Sequence, residues 1–426
     1  MTAPASVASG PSGSGPGPDA SAAPPRPRAA MGFILLTVLI DMVAIGIIVP
    51  VLPMLVGQFT PNQTEQAFWV GAVSFAFGLA NFFGAPLLGA LSDAFGRRPV
   101  LLLGFCGLAL NFFATAAATA LWMLVAVRLV GGAMQANAAV ANAYVADISA
   151  PADRARRFGL LGAMFGLGFI IGPAAGGLLG AIDLRLPFVV AGVLALVNLG
   201  YGWFVLPESL PPERRRPFSW KAVNPVASLR ALARLQGVGL VVGVIACAGL
   251  AQGVLYNVWV LYTSFKFGWT AQDNGWSLAA VGVVSVVVQG GLLRLLLKRL
   301  PTRQLAVMGL LSSTLAYAAW GAASAGWVMY AVIFANLLGY TVTASLQSIV
   351  SGAAREDEQG QTLGSVSSIN SLTAVLAPLL TAPLLMSVSH LAPGDWRIGA
   401  PLFFGAALQG TGLVLAWLHF RAHEAR

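Results

Sequence analysis

Charge is scarce in this sequence. Asp, Glu, Lys and Arg make up only 9% of its 426 residues, against roughly a quarter in soluble globular domains. That shortage excludes an ordinary soluble enzyme. Joined to a hydrophobic content of 57%, it also excludes disorder for most of the chain, since disorder needs low hydrophobicity and high charge. Cysteine is nearly absent: Cys106 and Cys247 both lie inside apolar runs, too few for a disulfide framework and without metal-type spacing. The three histidines, His390, His419 and His423, sit at the ends of apolar runs or in the C-terminal tail. No metal or nucleophile cluster accompanies them, so an embedded enzyme is not expected. The alternating segments of about ten residues that mark an outer-membrane barrel are missing too. Residues 1–30 are mainly Ala, Gly, Pro and Ser and lack the apolar core of a signal peptide; a disordered tail is expected there.

What the sequence has instead is long apolar runs. They fall at 33–56, 68–91, 100–119, 121–145, 158–181, 187–206, 238–262, 276–297, 305–325, 327–350, 363–387 and 399–420. Each is long enough to cross a hydrocarbon core of about 30 Å as a helix. The longest polar break, Pro207 to Arg234, divides the chain into six spans plus six. The expected organisation is a tail over 1–30, a first half over 31–206, a central loop over 207–235, a second half over 236–420 and a short tail over 421–426. A small residue before proline recurs at Gly172-Pro173 in span five and Ala377-Pro378 in span eleven. Small-Pro pairs are also common in membrane helices generally. The fold class is therefore an all-α membrane protein, twelve transmembrane helices in two six-helix halves around a central cavity, a known transporter plan.

The net charge of +9 is read by position. With the N-terminus inside, nearly all basic residues fall in cytoplasmic segments. Only Arg185, Lys266 and Arg397 fall outside, and Arg128 lies within a span. Basic residues in short loops set orientation, so both termini and the central loop are expected in the cytoplasm. The excess is topological and does not call for nucleic acid.

Charges inside the hydrocarbon need a reason, since each costs at least roughly 2.5–3.5 kcal/mol on insertion scales. Two stand well inside spans: Asp41 in span one, roughly 12 Å from the start of its helix, and Arg128 in span four. Burial disfavours the carboxylate anion, which suits Asp41 to bind and release a proton. The alternative is that Asp41 and Arg128 only pair and brace the bundle. Three polar stripes run at helical spacing: Arg128, Gln135 and Asn142; Gln252, Tyr256, Trp259 and Thr263; Asn336, Tyr340, Thr343 and Gln347. They fit a wet central cavity with a wall from each half; the plainer alternative is hydrogen bonding between helices.

The loop between spans two and three reads Gly89-Ala90-Leu91-Ser92-Asp93-Ala94-Phe95-Gly96-Arg97-Arg98-Pro99. It places an acid, a basic pair (Arg97, Arg98) and two glycines in a tight turn, with Asp147 at the end of span four as a candidate partner for Arg97. This loop resembles the signature loop of the major facilitator superfamily. Asp41 through Gly46 to Pro50 and Pro53 resembles the span-one motif of its drug:proton antiporters. Arg128 with Gly132 is similar to their span-four arginine motif. Gly168-x-x-x-Gly172-Pro173-x-x-Gly176-Gly177 resembles their span-five motif. Pro207-Glu208-Ser209, Trp276-Ser277-Leu278-Ala279 and Glu358-Gln359-Gly360-Gln361 look like bacterial tetracycline-resistance efflux proteins. The resemblance covers about residues 33–420.

The resemblance implies roles. Gly89, Asp93, Gly96, Arg97, Arg98 and Asp147 would form the inward gate, and Arg128 would support proton transfer with Asp41. Gly168, Gly172, Pro173 and Gly176 would make span five close-packed and kinked. The second-half counterpart of the loop, Lys298 to Arg303, lacks an Asp. Where the tetracycline exporters look to have an Asp, a His and an Asp, this sequence has Asn111, Gly268 and Ser313. That departure puts tetracycline in doubt and points to a less polar substrate. The candidate cavity set is Gln135, Asn142, Asn111, Gln252, Tyr256, Trp259, Asn336, Tyr340 and Gln347, the aromatic faces suiting apolar or cationic compounds. The expected function is proton-coupled efflux of small, largely apolar or amphipathic compounds by alternating access. The alternative is a specific metabolite carrier of the same superfamily. No cofactor or metal is expected beyond the proton gradient. The expected setting is the bacterial inner membrane, as a monomer whose partners are substrate, protons and lipid.

Overall fold

The computed structural model describes residues 27–134, 137–149, 153–223, 239–353 and 359–424. Among these, eleven helices are long and apolar enough to cross a bilayer, and one bent helix pair makes a twelfth. The chain is a multi-pass, all-helical membrane protein, with no strand among the described residues. Residues 1–26 and 224–238, which carry most of the expected tail and the end of the central loop, lie outside the described set.

The spans run Met31–Gly57, Gln63–Phe95, Arg97–Ala117, Leu121–Ile148, Arg156–Ile182 and Leu186–Val205 in the first half. The second half has Leu240–Phe267, Ala271–Leu297, Thr302–Ala322, the bent pair Gly326–Ala335 with Gly339–Val350, then Ser368–Val388 and Trp396–Arg421. Several helices outrun the apolar runs that announce them. Hydropathy marks only the part of a helix in hydrocarbon, whereas backbone pairing carries the helix on to the next cap. Span two starts at Asn62, whose side chain accepts from Glu65 N at 2.9 Å. Span eight is capped by Thr270 in a reciprocal capping box with Asp273 and starts at Ala271, ahead of the apolar run at 276.

Two spans differ from the uninterrupted helices expected. Span one is interrupted at residues 49–51, around Pro50, and a short helix, Leu52–Gly57, with Pro53 in its first turn, completes it. Span ten breaks by 54° between Ala335 and Gly339. There the Asn336 side chain takes a hydrogen bond from Ser312 of span nine (2.8 Å), and a Cβ on Gly339 would lie 2.3 Å from that same amide.

Packing repeats between the halves. Span one packs on spans five and six as span seven packs on eleven and twelve, and three on six as nine on twelve. The halves meet through two antiparallel pairs, two with eleven and five with eight. In the first pair Thr64 hydrogen-bonds Ser389 (2.8 Å), Gly71 faces Ala382, and Gly78 faces Ala374 and Val375. In the second, Gly180 faces Ala271, Gly177 faces Gly275, Gly282 faces Ile170 and Gly166 faces Val286. These contacts run from the ends of the spans remote from the signature loop to just past their middle, at Gly166 and Val286. Toward the loop, Gly89, Gly159, Gly162, Gly290 and Gly291 have nothing within 4 Å of a Cβ position. The molecule is thus closed on the far side and parted on the loop side.

Candidate functional site

The signature loop is built around one arginine. Gly96, at φ +107, ends span two, and Arg97 opens span three. Arg97 is only 8% exposed. Its Nη1 lies 2.6 Å from Asp93 Oδ1, and its Nε lies 3.0 Å from Asp147 Oδ2. Ser92 Oγ accepts from the same Nη1 at 2.6 Å. Arg98 donates to the Trp203 carbonyl. Gly89 contributes a carbonyl that accepts from Ser92 Oγ (2.8 Å). Thus Asp93, Gly96, Arg97, Arg98 and Asp147 are brought together.

One member was not singled out from sequence as a site residue. Glu208 Oε1 accepts from the backbone amides of Arg97 (2.9 Å), Ser209 (2.9 Å) and Leu210 (3.0 Å), and Oε2 from Arg98 N (3.3 Å). Its charge sits at the N-terminus of span three, where bare N–H groups and the helix dipole favour an anion. Ser209 Oγ reaches Asp147 Oδ2 at 3.3 Å, Tyr144 donates to the Pro207 carbonyl at 3.0 Å, and Arg216 N donates to Asp93 O at 3.0 Å. The start of the central loop is therefore stapled to the signature loop and the end of span four. The signal for it was an acid in Pro207-Glu208-Ser209, directly after span six. These bonds all lie within the first half and its loop.

Asp41 is buried, 5% exposed. It lines a cavity of about 10 Å³ with Thr37, Leu101, Phe105, Asn137 and Phe165. Thr37 Oγ1 and both amide atoms of Asn137 lack hydrogen-bond partners. The space suits one water with several polar neighbours. Arg128 does not join them. It is 4% exposed, its Nε and Nη2 lack partners, and no carboxylate of a described residue lies within ion-pair reach. Asp41 sits beside Asn137, which is nine residues along span four from Arg128, roughly 13 Å of helix rise.

A cavity of about 360 Å³ belongs to the second half alone. Gln252, Tyr256, Thr343 and Gln347 line it as the stripes predicted. The first half adds no lining residue; Phe169 comes up behind the lining, its ring meeting the Tyr256 ring edge-on at 6.2 Å, and Gly78 backs Ala374. Other members of the candidate set stand elsewhere. Trp259 is buried, donates to Ser277 Oγ (2.9 Å) and packs on Trp320 at 5.3 Å. Asn336 is buried in the break of span ten, and half-buried Tyr340 flanks that break without lining the cavity. Asn111 is buried, its amide atoms unpartnered, against Gly131. Asn142 is exposed and lines neither cavity. Gln135 lies outside the described residues. The cavity also takes Asn370, Thr373 and Gln409, lone polar residues that form no stripe in sequence.

In span five, Gly168, Gly172 and Gly176 all face span one. A Cβ on them would come within 2.4 Å of Met42, 2.6 Å of Gly46 and 1.9 Å of the Ile47 carbonyl. Buried Pro173 sets its ring against Gly46 of span one and its carbonyl against Gly275 of span eight, which Gly177 also faces. Span five is thus held backbone to backbone between both halves.

Fold and site together define a twelve-span carrier with two pseudo-repeated halves. The chain belongs to the Major Facilitator Superfamily, whose family model matches residues 34–378. Among named relatives it is similar to the class C tetracycline resistance protein of Escherichia coli. The two are 38% identical over 375 residues, covering 88% of this chain and 94% of that one. The class B protein of Escherichia coli is 32% identical, covering 87% and 92%. Among solved structures, the human organic anion transporter MFSD10 (TETRAN) superposes with a TM-score of 0.68 at 23% identity, covering 92% of this chain and all of that one. A bacterial homologue of the human lysosomal transporter Spinster gives 0.71 at 15% identity, covering 94% and 98%. At these identities the structures speak for the fold alone.

Proposed function

We propose that the protein is a proton-coupled exporter of small compounds that works by alternating access in a bacterial inner membrane. Both termini and the central loop face the cytoplasm in this reading, which rests on the distribution of basic residues. The observation that carries it is Asp41: a carboxyl deep in a span, 5% exposed, in a pocket the size of one water, inside a fold parted on one side only. Protonated, the side chain is neutral and tolerable there; ionised, it needs the polar groups of Thr37 and Asn137 or water. Arg128 acts on Asp41 at longer range, or in the opposite conformation. The proton gradient supplies the energy, no cofactor is needed, and one chain suffices. The likeness to tetracycline resistance proteins supports export. Arg97, held by Asp93 and Asp147 and braced by Glu208, ties the loop-side ends of spans two, three and four into one rigid rim on which the inward gate closes.

The test uses the full chain in proteoliposomes. Asp41→Asn is expected to abolish substrate-driven proton movement while equilibrium binding partly survives, and Arg128→Ala to slow it. Normal proton movement by Asp41→Asn places the proton site elsewhere or makes the protein a uniporter.

A further inference from the structure

The cavity of the second half has an unusual wall for its membrane setting. None of its lining residues is Asp, Glu, Lys, Arg or His. An ion leaving water for such a wall loses its hydration and meets no counter-charge, which is strongly unfavourable. Yet the wall is far from apolar. Gln252, Gln347, Asn370 and Gln409 bring four carboxamides to one space from spans seven, ten, eleven and twelve. Each amide both donates and accepts. Gln252, Gln347 and Asn370 are exposed to it, while Gln409 is 4% exposed and its Oε1 has no hydrogen-bond partner. In this conformation Gln409 Oε1 is shielded from the open space, so a ligand hydrogen meets it only when the carboxamide turns toward the cavity; a buried carbonyl oxygen without a donor is costly to keep, which favours that turn. Ile245, Val342 and Leu346 supply an apolar side to the same wall.

We infer that this cavity recognises an uncharged amphiphile, with an apolar body against Ile245, Val342 and Leu346 and a hydroxyl or amide hydrogen donated to Gln409 Oε1. The inference rests on the reading of the protein as a carrier of small compounds and gives that carrier its substrate class. About 360 Å³ is within the range of small-molecule sites. The Tyr256 ring, met edge-on by Phe169, offers a flat face to a neutral ring; its quadrupole also attracts a cation, but with no carboxylate in the lining that attraction alone does not repay the ion's lost hydration. An analogue without the donor hydrogen leaves Oε1 bare and is rejected for that reason. Recognition lies in one half, so the ligand stays with spans seven and nine to twelve when the halves move.

Matched probes sharing one apolar body test this: 2-naphthamide, 2-naphthoate and a naphthylmethyl-trimethylammonium ion. Equilibrium binding is measured on the purified full chain in detergent, without a gradient. Naphthamide is expected to bind at least about tenfold more tightly than either ion, and Gln409→Leu to weaken it about tenfold. Because Gln409 is buried, Gln347→Leu, at an exposed wall position, is the second variant, also expected to weaken naphthamide but not to raise the affinity of the ions. No naphthamide binding, ions bound as tightly, or unchanged affinity in both variants overturns the inference. A protein that binds naphthamide as described yet moves nothing under a proton gradient contradicts the exporter reading instead. Gradient-driven export of ions indifferent to Gln409→Leu contradicts this inference and leaves the exporter standing.

Discussion

Gly96 has less freedom than any other residue of the gate. Its φ of +107 with ψ of 159 belongs to a region that residues with a Cβ scarcely enter. A Cβ there would also stand 2.3 Å from Glu208 Oε2. Gly96→Ala should therefore cost about 1–3 kcal/mol locally and loosen the carboxylate from the amides of span three. The expected result is a lower thermal midpoint and slower transport, with the protein still in the membrane. An unchanged midpoint would mean that the turn relaxes at no cost. Asp93, Arg97 and the glycine were legible in the sequence because acid, base and turn former stand within one short loop. Glu208 was harder to read, since its partners are backbone amides, which leave no trace in side-chain identity. The Asp41–Arg128 pairing illustrates a different limit. Two opposite charges in one half suggest a pair, but helix order does not say which face of span four meets span one, and that place is held by Asn137.

At the scale of elements, the same limit divides span seven. Its polar stripe has sound helical spacing, yet neighbours change along the helix. Gln252 and Tyr256 open on the cavity, while Trp259 and Thr263 turn to span eight and bond Ser277 and Asn274 at 2.9 and 2.7 Å. Periodicity reveals a face but not what lies against it. Helix starts, by contrast, follow local rules. The Thr270–Asp273 capping box sets the beginning of span eight where it packs on Gly177 and Gly180 of span five. Thr270→Ala is expected to cost about 1 kcal/mol, seen as a drop of a few degrees in the midpoint with binding at the Gln409 cavity intact. A drop in binding without a drop in midpoint would tie the cap to the cavity instead. The break in span ten was hidden because Asn336 read as one more stripe member; its bond to Ser312 needs span nine alongside.

At the scale of the whole molecule, the twelve spans and their division were plain from hydropathy and the central break, and the pairing of the halves was not. Substrate choice belongs to this scale as well. Asn111 is sealed in packing, Gly268 stands in a turn at φ +69, and Ser313 lines an uncharged cavity. None supplies the charge or titratable group that a metal-chelated drug calls for. Cells carrying the gene are expected to gain little or no tetracycline resistance, measured as inhibitory concentration against an empty vector. Strong resistance dependent on Asp41 would show that other groups do that work.

The seams between the halves are zips, each fastened for only part of its length. On the five–eight seam the teeth meet from Gly180 with Ala271 to Gly166 with Val286. One turn further, the same register sets Gly162 opposite Gly290, in the π-helical stretch Val288–Leu292. On the two–eleven seam, Gly89 has nothing within 4 Å of a Cβ position. Unfastened teeth that are all glycine can close without collision, so the loop side is built to zip as the far side opens. After Cys106 and Cys247 are replaced by serine, the pair Gly162→Cys with Gly290→Cys is expected to form a disulfide during turnover and to stop transport until it is reduced. The far-side pair Thr64→Cys with Ser389→Cys should link in the conformation described here and stop transport equally. If transport runs on with either link in place, the seams do not open in turn.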